Sequence, residues 1–216
     1  YARLNLPPSD KTRQYFGLGE QKTIYYCPQP PFKLHPDFDL LLRRILTRDP
    51  EGVVVLLRGA ADRAEAALRE RFGRVMPELL DRILFMNPLP YADYIQMLQL
   101  ADVVLDTPHF SGGSSSVEAL AVGVPVVTRA GDSHVSRVGV SLLHSVGLPE
   151  LIGNSPEEYC ALAVALAADT ARLAVLRSSL RDRLLASPLA DNSTFTRHLE
   201  EVYRKIWQRW CKENSR

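Results

Sequence analysis

Cysteine is scarce: Cys27, Cys160 and Cys211 stand far apart among 216 residues. Their spacing matches no zinc or redox motif, and an odd, sparse set fits reduced thiols in a cytosolic protein rather than a disulfide scaffold. No apolar run approaches the roughly 20 residues that cross a bilayer, and no cationic-then-apolar leader opens the chain. An excess of either charge is missing too. Lys and Arg number 26 against 25 Asp and Glu, a net charge of +1, which gives no ground for expecting a nucleic acid or membrane partner. Internal repeats and long low-complexity segments are absent. The chain starts at Tyr1 rather than Met, so a piece of a longer protein is expected.

What is present is an ordinary globular composition, 46% hydrophobic and 24% charged, in a chain long enough to bury a core. Short apolar runs alternate with longer amphipathic stretches, the pattern of a parallel sheet covered by helices. Strands are expected at 23–27, 53–58, 82–86, 102–107 and 124–128, each nearly apolar throughout, as strands buried on both faces are. One helix is expected after Pro36, a second ending on Gly73, and a third over "YADYIQMLQLA". Further helices are expected from Ser114, at about 135–146, at about 156–186 with a break, and at about 193–211. In the last, Phe195, Leu199, Val202, Ile206 and Trp210 recur at three- and four-residue steps, a stripe expected to dock on the core. The fold class is therefore α/β, a Rossmann-like parallel sheet with helices on both faces and a helical tail. Within this single domain, 1–22 reads as a lead-in, 23–152 as the core and 153–216 as a helical extension.

In such sheets ligands collect at the carboxyl ends of the strands. After the fourth strand comes Gly112-Gly113-Ser114-Ser115-Ser116, which has linker composition but sits inside a strand–helix unit. Two readings stand: a plain capped turn, or a cradle in which glycines and helix N–H groups meet an anion and Ser114 and Ser115 donate hydroxyls. Glu118, read as an acid of the first helical turn, either compensates the dipole or accepts ribose hydroxyls. After the first strand, Lys33 stands in a loop stiffened by Pro30 and Pro31. It is either a solvated surface group or a point charge for phosphate. Tyr91 and Tyr94, three apart after the third strand, either pack in the core or stack on a base. His109, His134, His144 and His198 read as surface or capping residues.

Three stretches carry a resemblance: "QLADVVLDTP" (99–108), "GVPVVTRAGDSHVSRVGVSLL" (123–143) and "ASPLADNSTFTRHLEEVYRKIW" (186–207). Taken with the loops above, they make the chain from about Tyr25 to Trp210 resemble the C-terminal catalytic lobe of the intracellular O-linked N-acetylglucosaminyltransferases and their Spindly-type relatives. The resemblance implies the nucleotide-sugar lobe of a two-lobed GT-B enzyme, cytoplasmic, using a UDP-sugar as substrate, with no metal or other cofactor. The protein acceptor would be met through an N-terminal lobe and tetratricopeptide repeats outside this chain, which would also supply the proposed base. By position, Lys33 matches a lysine on the donor diphosphate, and Ser114 and Ser115 match two threonines that hold the phosphates. Glu118 stands for an aspartate on the ribose, Tyr94 for a histidine beside the uracil, and the Leu89 backbone for the reader of the base edge. Gln29 matches a glutamine near the phosphates across a one-residue gap, and Arg137 matches a family arginine expected in a structural ion pair. Gly113 stands where the family has a histidine.

The implied activity is transfer of N-acetylglucosamine from UDP-N-acetylglucosamine to Ser or Thr of proteins. GDP-fucose-dependent O-fucosyl transfer, hexose transfer to asparagine, a nucleotide-sugar 2-epimerase and a non-catalytic binding module are the alternatives.

Overall fold

The computed structural model describes residues 10–20, 22–59 and 62–214. Residues 1–9 and 21 of the expected lead-in lie outside that description. Six parallel strands form the sheet: β1 (Thr23–Cys27), β2 (Gly52–Leu57), β3 (Ile83–Met86), β4 (Val103–Leu105), β5 (Val126–Arg129) and β6 (Ile152–Gly153). Their order is β3-β2-β1-β4-β5-β6. β1 therefore lies at the centre, with Tyr25 opposite Val54 on one side and Val103 on the other. Tyr25 and Tyr26 are fully buried there, and the Tyr25 hydroxyl keeps its polar end satisfied by donating to Asp49 Oδ2 at 2.9 Å. β6 was not expected. Two residues are too few to show a periodicity, and only pairing with β5, Thr128 with Ile152 and Arg129 with Gly153, defines it.

Around the sheet lie α1 (Pro36–Arg48), α2 (Asp62–Val75), α3 (Tyr91–Leu100), α4 (Ser114–Ala121), α5 (Val138–Ser145), α6 (Pro156–Ala168), α7 (Thr170–Ala186) and α8 (Asn192–Asn214). α1 begins on Pro36, whose fixed φ suits a first turn, and His35 caps it. α2 does not end on Gly73 but runs on to Val75. Pro77 supplies the stop, because it disfavours helical backbone at Met76, which has φ −149° and ψ 57°. The expected break in 156–186 falls at Asp169, where α6 and α7 meet at 92°. Among the described residues no single helix is long and apolar enough to cross a membrane.

The expected docking of the last helix fails. None of α8 is buried, and Ile206 and Trp207 keep 59% and 63% of their surface exposed. Its apolar side is real, with Trp207 and Trp210 stacked 5.3 Å apart. The turn Pro188–Ala190 links α7 to α8, and no residue of α8 is buried against the core. Helical periodicity reports that a face is apolar. It does not report what covers it.

Candidate functional site

A sheet of this order reverses direction of growth between β1 and β4, and loops after those two strands part to leave a crevice at their carboxyl ends. Gln29 and Lys33 leave β1; residues 106–113 leave β4 and enter α4. The expected phosphate residues are thereby brought to one place. Buried Gln29 donates from Nε2 to Ser115 Oγ at 2.5 Å, across 86 residues of sequence. Lys33 donates from Nζ to the Ser111 carbonyl at 3.1 Å, with its ammonium 4.3 Å from the centre of the Phe110 ring. Burial pushes the Lys33 ammonium below the usual lysine range, and the nearby Asp106 carboxylate partly opposes that.

The Gly/Ser run is no tether. Asp106, fully buried at the end of β4, accepts the Gly112 N–H on Oδ1 and the Thr128 hydroxyl on Oδ2, both at 2.6 Å. Burial pushes this carboxyl up, while the Thr128 and Gly112 bonds pull it down. Tyr159 donates to its carbonyl at 3.0 Å. Gly112 lets the loop pack closely, since a Cβ there would stand 2.4 Å from Ser116 Oγ and 2.6 Å from Gln29 Nε2 and would push those side chains aside. Gly113, at φ −103°, is the N-cap of α4 and has nothing within 4 Å of a Cβ. Sequence reasoning missed Asp106, treating it as the tail of a strand. Its signal was an acid placed directly after the apolar run "VVL".

Ser114, exposed, and Ser115, half-buried, open the helix, whose N-cap is Gly113. Glu118 is the fifth residue of α4 and lies outside its first turn, so dipole compensation is withdrawn as its explanation. It faces α3 instead. Tyr94 donates to Glu118 Oε2 at 3.0 Å and Tyr91 to Oε1 at 3.4 Å. The Tyr94 ring packs against the core while Tyr91 is half exposed. Burial first, then the Glu118 charge, pushes both phenols up. Leu89 lies in the connection into α3 and lines a cavity of about 320 Å³ with Tyr15, Phe16 and Phe85.

α4 thus joins the two groups, with Ser115 facing the β1 loop and Glu118 facing α3. Among the described residues Arg137 makes no ion pair, contrary to expectation. It donates to the Gly131 carbonyl at 3.0 Å, which holds the loop after β5. His134 is exposed in the turn before α5.

The geometry can receive an anion beside a polyol: an ammonium, a helix N-terminus and hydroxyls on one side, a carboxylate fixed by two phenols on the other. Known proteins give that arrangement a context. Over 153 residues the chain is 40% identical to a protein of Hordeum vulgare described as a probable UDP-N-acetylglucosamine–peptide N-acetylglucosaminyltransferase SPINDLY, covering 69% of this chain and 16% of that protein. It is 34% identical over 207 residues to the Arabidopsis thaliana protein described in the same words as SEC, covering 95% of this chain and 21% of that protein. Among solved structures, a mutant O-GlcNAc transferase of Thermobaculum terrenum matches with a TM-score of 0.81 and 31% identity, over 89% of this chain and 37% of that one. The fold is thus the Rossmann-like lobe of a GT-B glycosyltransferase. This chain spans about a fifth or less of the curated relatives named here. The model of glycosyl transferase family 41 matches residues 9–199, and the chain belongs to that family.

Proposed function

We propose that this chain is the donor-binding lobe of a protein O-glycosyltransferase that moves N-acetylglucosamine from UDP-N-acetylglucosamine to Ser or Thr hydroxyls. The observation that carries the reading is the convergence at the β1/β4 crevice, where Gln29 meets Ser115 and Lys33 meets Ser111.

In this reading Lys33, the amides opening α4 and the hydroxyls of Ser114 and Ser115 hold the diphosphate, with Gln29 orienting Ser115. Glu118 takes the ribose hydroxyls. Tyr94 steadies that carboxylate and walls the base, whose edge the Leu89 backbone reads. As the glycosidic bond breaks, negative charge grows on the departing diphosphate. Donors already in place stabilise that charge more than they stabilise the ground state, by about 2.7–4 kcal/mol for one such group. No metal takes part in this role. The acceptor and the base belong to a lobe and repeats outside residues 1–216. Residues 1–22 lead in, 23–152 bind the donor and 153–216 extend it, in a cytoplasmic protein.

The deciding experiment is a thermal-shift series with UDP, GDP and their sugar derivatives. A ligand at a hundredfold its Kd adds about 2.7 kcal/mol of apparent stability, so UDP and UDP-N-acetylglucosamine should raise Tm by several degrees. A shift with GDP alone would move the reading to fucosyl transfer. No shift with any nucleotide would end it.

A further inference from the structure

Outside the donor crevice, one cluster of side chains has the chemistry of a metal site. His35 precedes α1, Asp37 lies in its first turn, and His109 belongs to the loop after β4. These three are the one such group among the described residues, and one ligand atom from each lies within 4.8 Å of the others. His109 Nε2 stands 2.8 Å from Asp37 Oδ2, and His35 Nδ1 stands 3.6 Å from the same oxygen. The two imidazole rings have centroids 4.2 Å apart.

Around a tetrahedral Zn²⁺ with bonds of about 2.0–2.1 Å, ligand atoms sit about 3.3 Å apart. The two distances to Asp37 bracket that value, and all three atoms lie within 4.8 Å of one another, a span that side-chain rotation can close. All three residues are exposed, which leaves room for an ion and for a fourth, solvent-side ligand. Two imidazoles and one carboxylate favour zinc over the all-oxygen shells of Mg²⁺ or Ca²⁺.

We propose that His35, Asp37 and His109 form a zinc site that clamps the β1–α1 connection to the β4–α4 loop. On binding, zinc takes the place of the proton between His109 Nε2 and Asp37, and the neutral imidazole carries its proton on Nδ1. His35 Nδ1 exchanges the Asp37 N–H it now accepts at 3.2 Å for the metal. This assignment is independent of the donor reading and concerns a structural clamp, separate from the leaving diphosphate.

Calorimetry with ZnCl₂ on the 216-residue chain tests it, with cobalt substitution reporting geometry. The expected result is one zinc per chain, cobalt absorption of four- or five-coordinate character, and no competition by MgCl₂. His109→Ala should lose at least about tenfold in zinc affinity and lose the zinc-induced rise in Tm. His35→Asn, which keeps a capping side chain, should lose zinc affinity likewise. Melting without zinc confirms that both variants fold. Undetectable zinc binding to wild type would overturn the proposal. So would equal binding by wild type and His109→Ala, or binding abolished by Cys211→Ser alone.

Discussion

The Tyr94 hydroxyl donates to Glu118 Oε2 at 3.0 Å, joining α3 to α4 at the crevice. A carboxylate held this way keeps lone pairs for a second donor, and its position is set before any ligand arrives. Removing the phenolic donor with Tyr94→Phe removes one bond to a charged group, worth about 1.5–3 kcal/mol where buried. Since Glu118 is only half-buried, the stability lost should be at the low end, a Tm drop of about 2–4 °C, and UDP affinity by calorimetry should fall about three- to tenfold as the carboxylate loses its fixed position. Glu118→Ala should lose more than Tyr94→Phe. Equal affinity in wild type and both variants would remove Glu118 from the ribose role.

Lys33 is the group whose loss should matter most to chemistry. Lys33→Ala should abolish transfer by the full-length protein and weaken UDP binding to this chain. The bond to Ser111 is the main contact it gives up, so Tm should drop by only a few degrees. Wild-type turnover in that variant would sink the assignment.

The same lysine sets an alkaline limit. Its folded value is lowered from 10.5 by burial, so between that lowered value and 10.5 the unfolded chain binds more protons than the folded one. Stability from this group therefore rises as pH increases through that window. In the proposed role of Lys33, UDP affinity moves the other way, because the ammonium meant for the phosphate is being lost. Calorimetry across a pH series should show affinity declining before the pH of an ordinary lysine is reached. Lys33→Met should flatten that decline.

Two adjacent glycines should behave oppositely. Gly112→Ala forces a Cβ to within 2.4 Å of Ser116 Oγ and 2.6 Å of the Gln29 amide, an overpacking that costs about 1–3 kcal/mol. Gly113→Ala and Gly113→His meet open space at an ordinary φ, and should melt within about 2 °C of wild type, as surface changes do. A large destabilisation from Gly113→His would contradict the open site seen beside α4.

Thr128→Val tests the anchor beneath the loop. It removes the hydroxyl that bonds Asp106 Oδ2 at 2.6 Å and leaves a fully buried carboxylate oxygen short of a donor. The cost should be about 1.5–3 kcal/mol of unfolding free energy by denaturant titration, with UDP affinity falling as Gly112 loosens. An unchanged midpoint would show that Asp106 does not organise the loop.

Strands buried on both faces leave an unmistakable record, so β1 over "TIYYC" and its parallel partners were legible in the chain. The crevice loops were legible too, because phosphate chemistry and turn chemistry both draw on Gly, Ser, Lys and Pro at strand ends. Family resemblance then singled out Lys33, Gln29, Ser115 and Glu118 among many residues of those types. Other features depend on contacts between distant residues and leave no local pattern. Asp106 holds Gly112 and Thr128 only after β4 and β5 pair. His109 reaches Asp37 across 72 residues. Of the two readings of Glu118, dipole compensation fails because the residue lies beyond the first turn of α4 and meets Tyr94 of α3, and the stripe on α8 was apolar yet undocked. Local sequence determines which faces are apolar and which loops can hold charge, since those depend on neighbours along the chain. The partner of each polar or apolar group is chosen by the topology, which alone sets what lies across space.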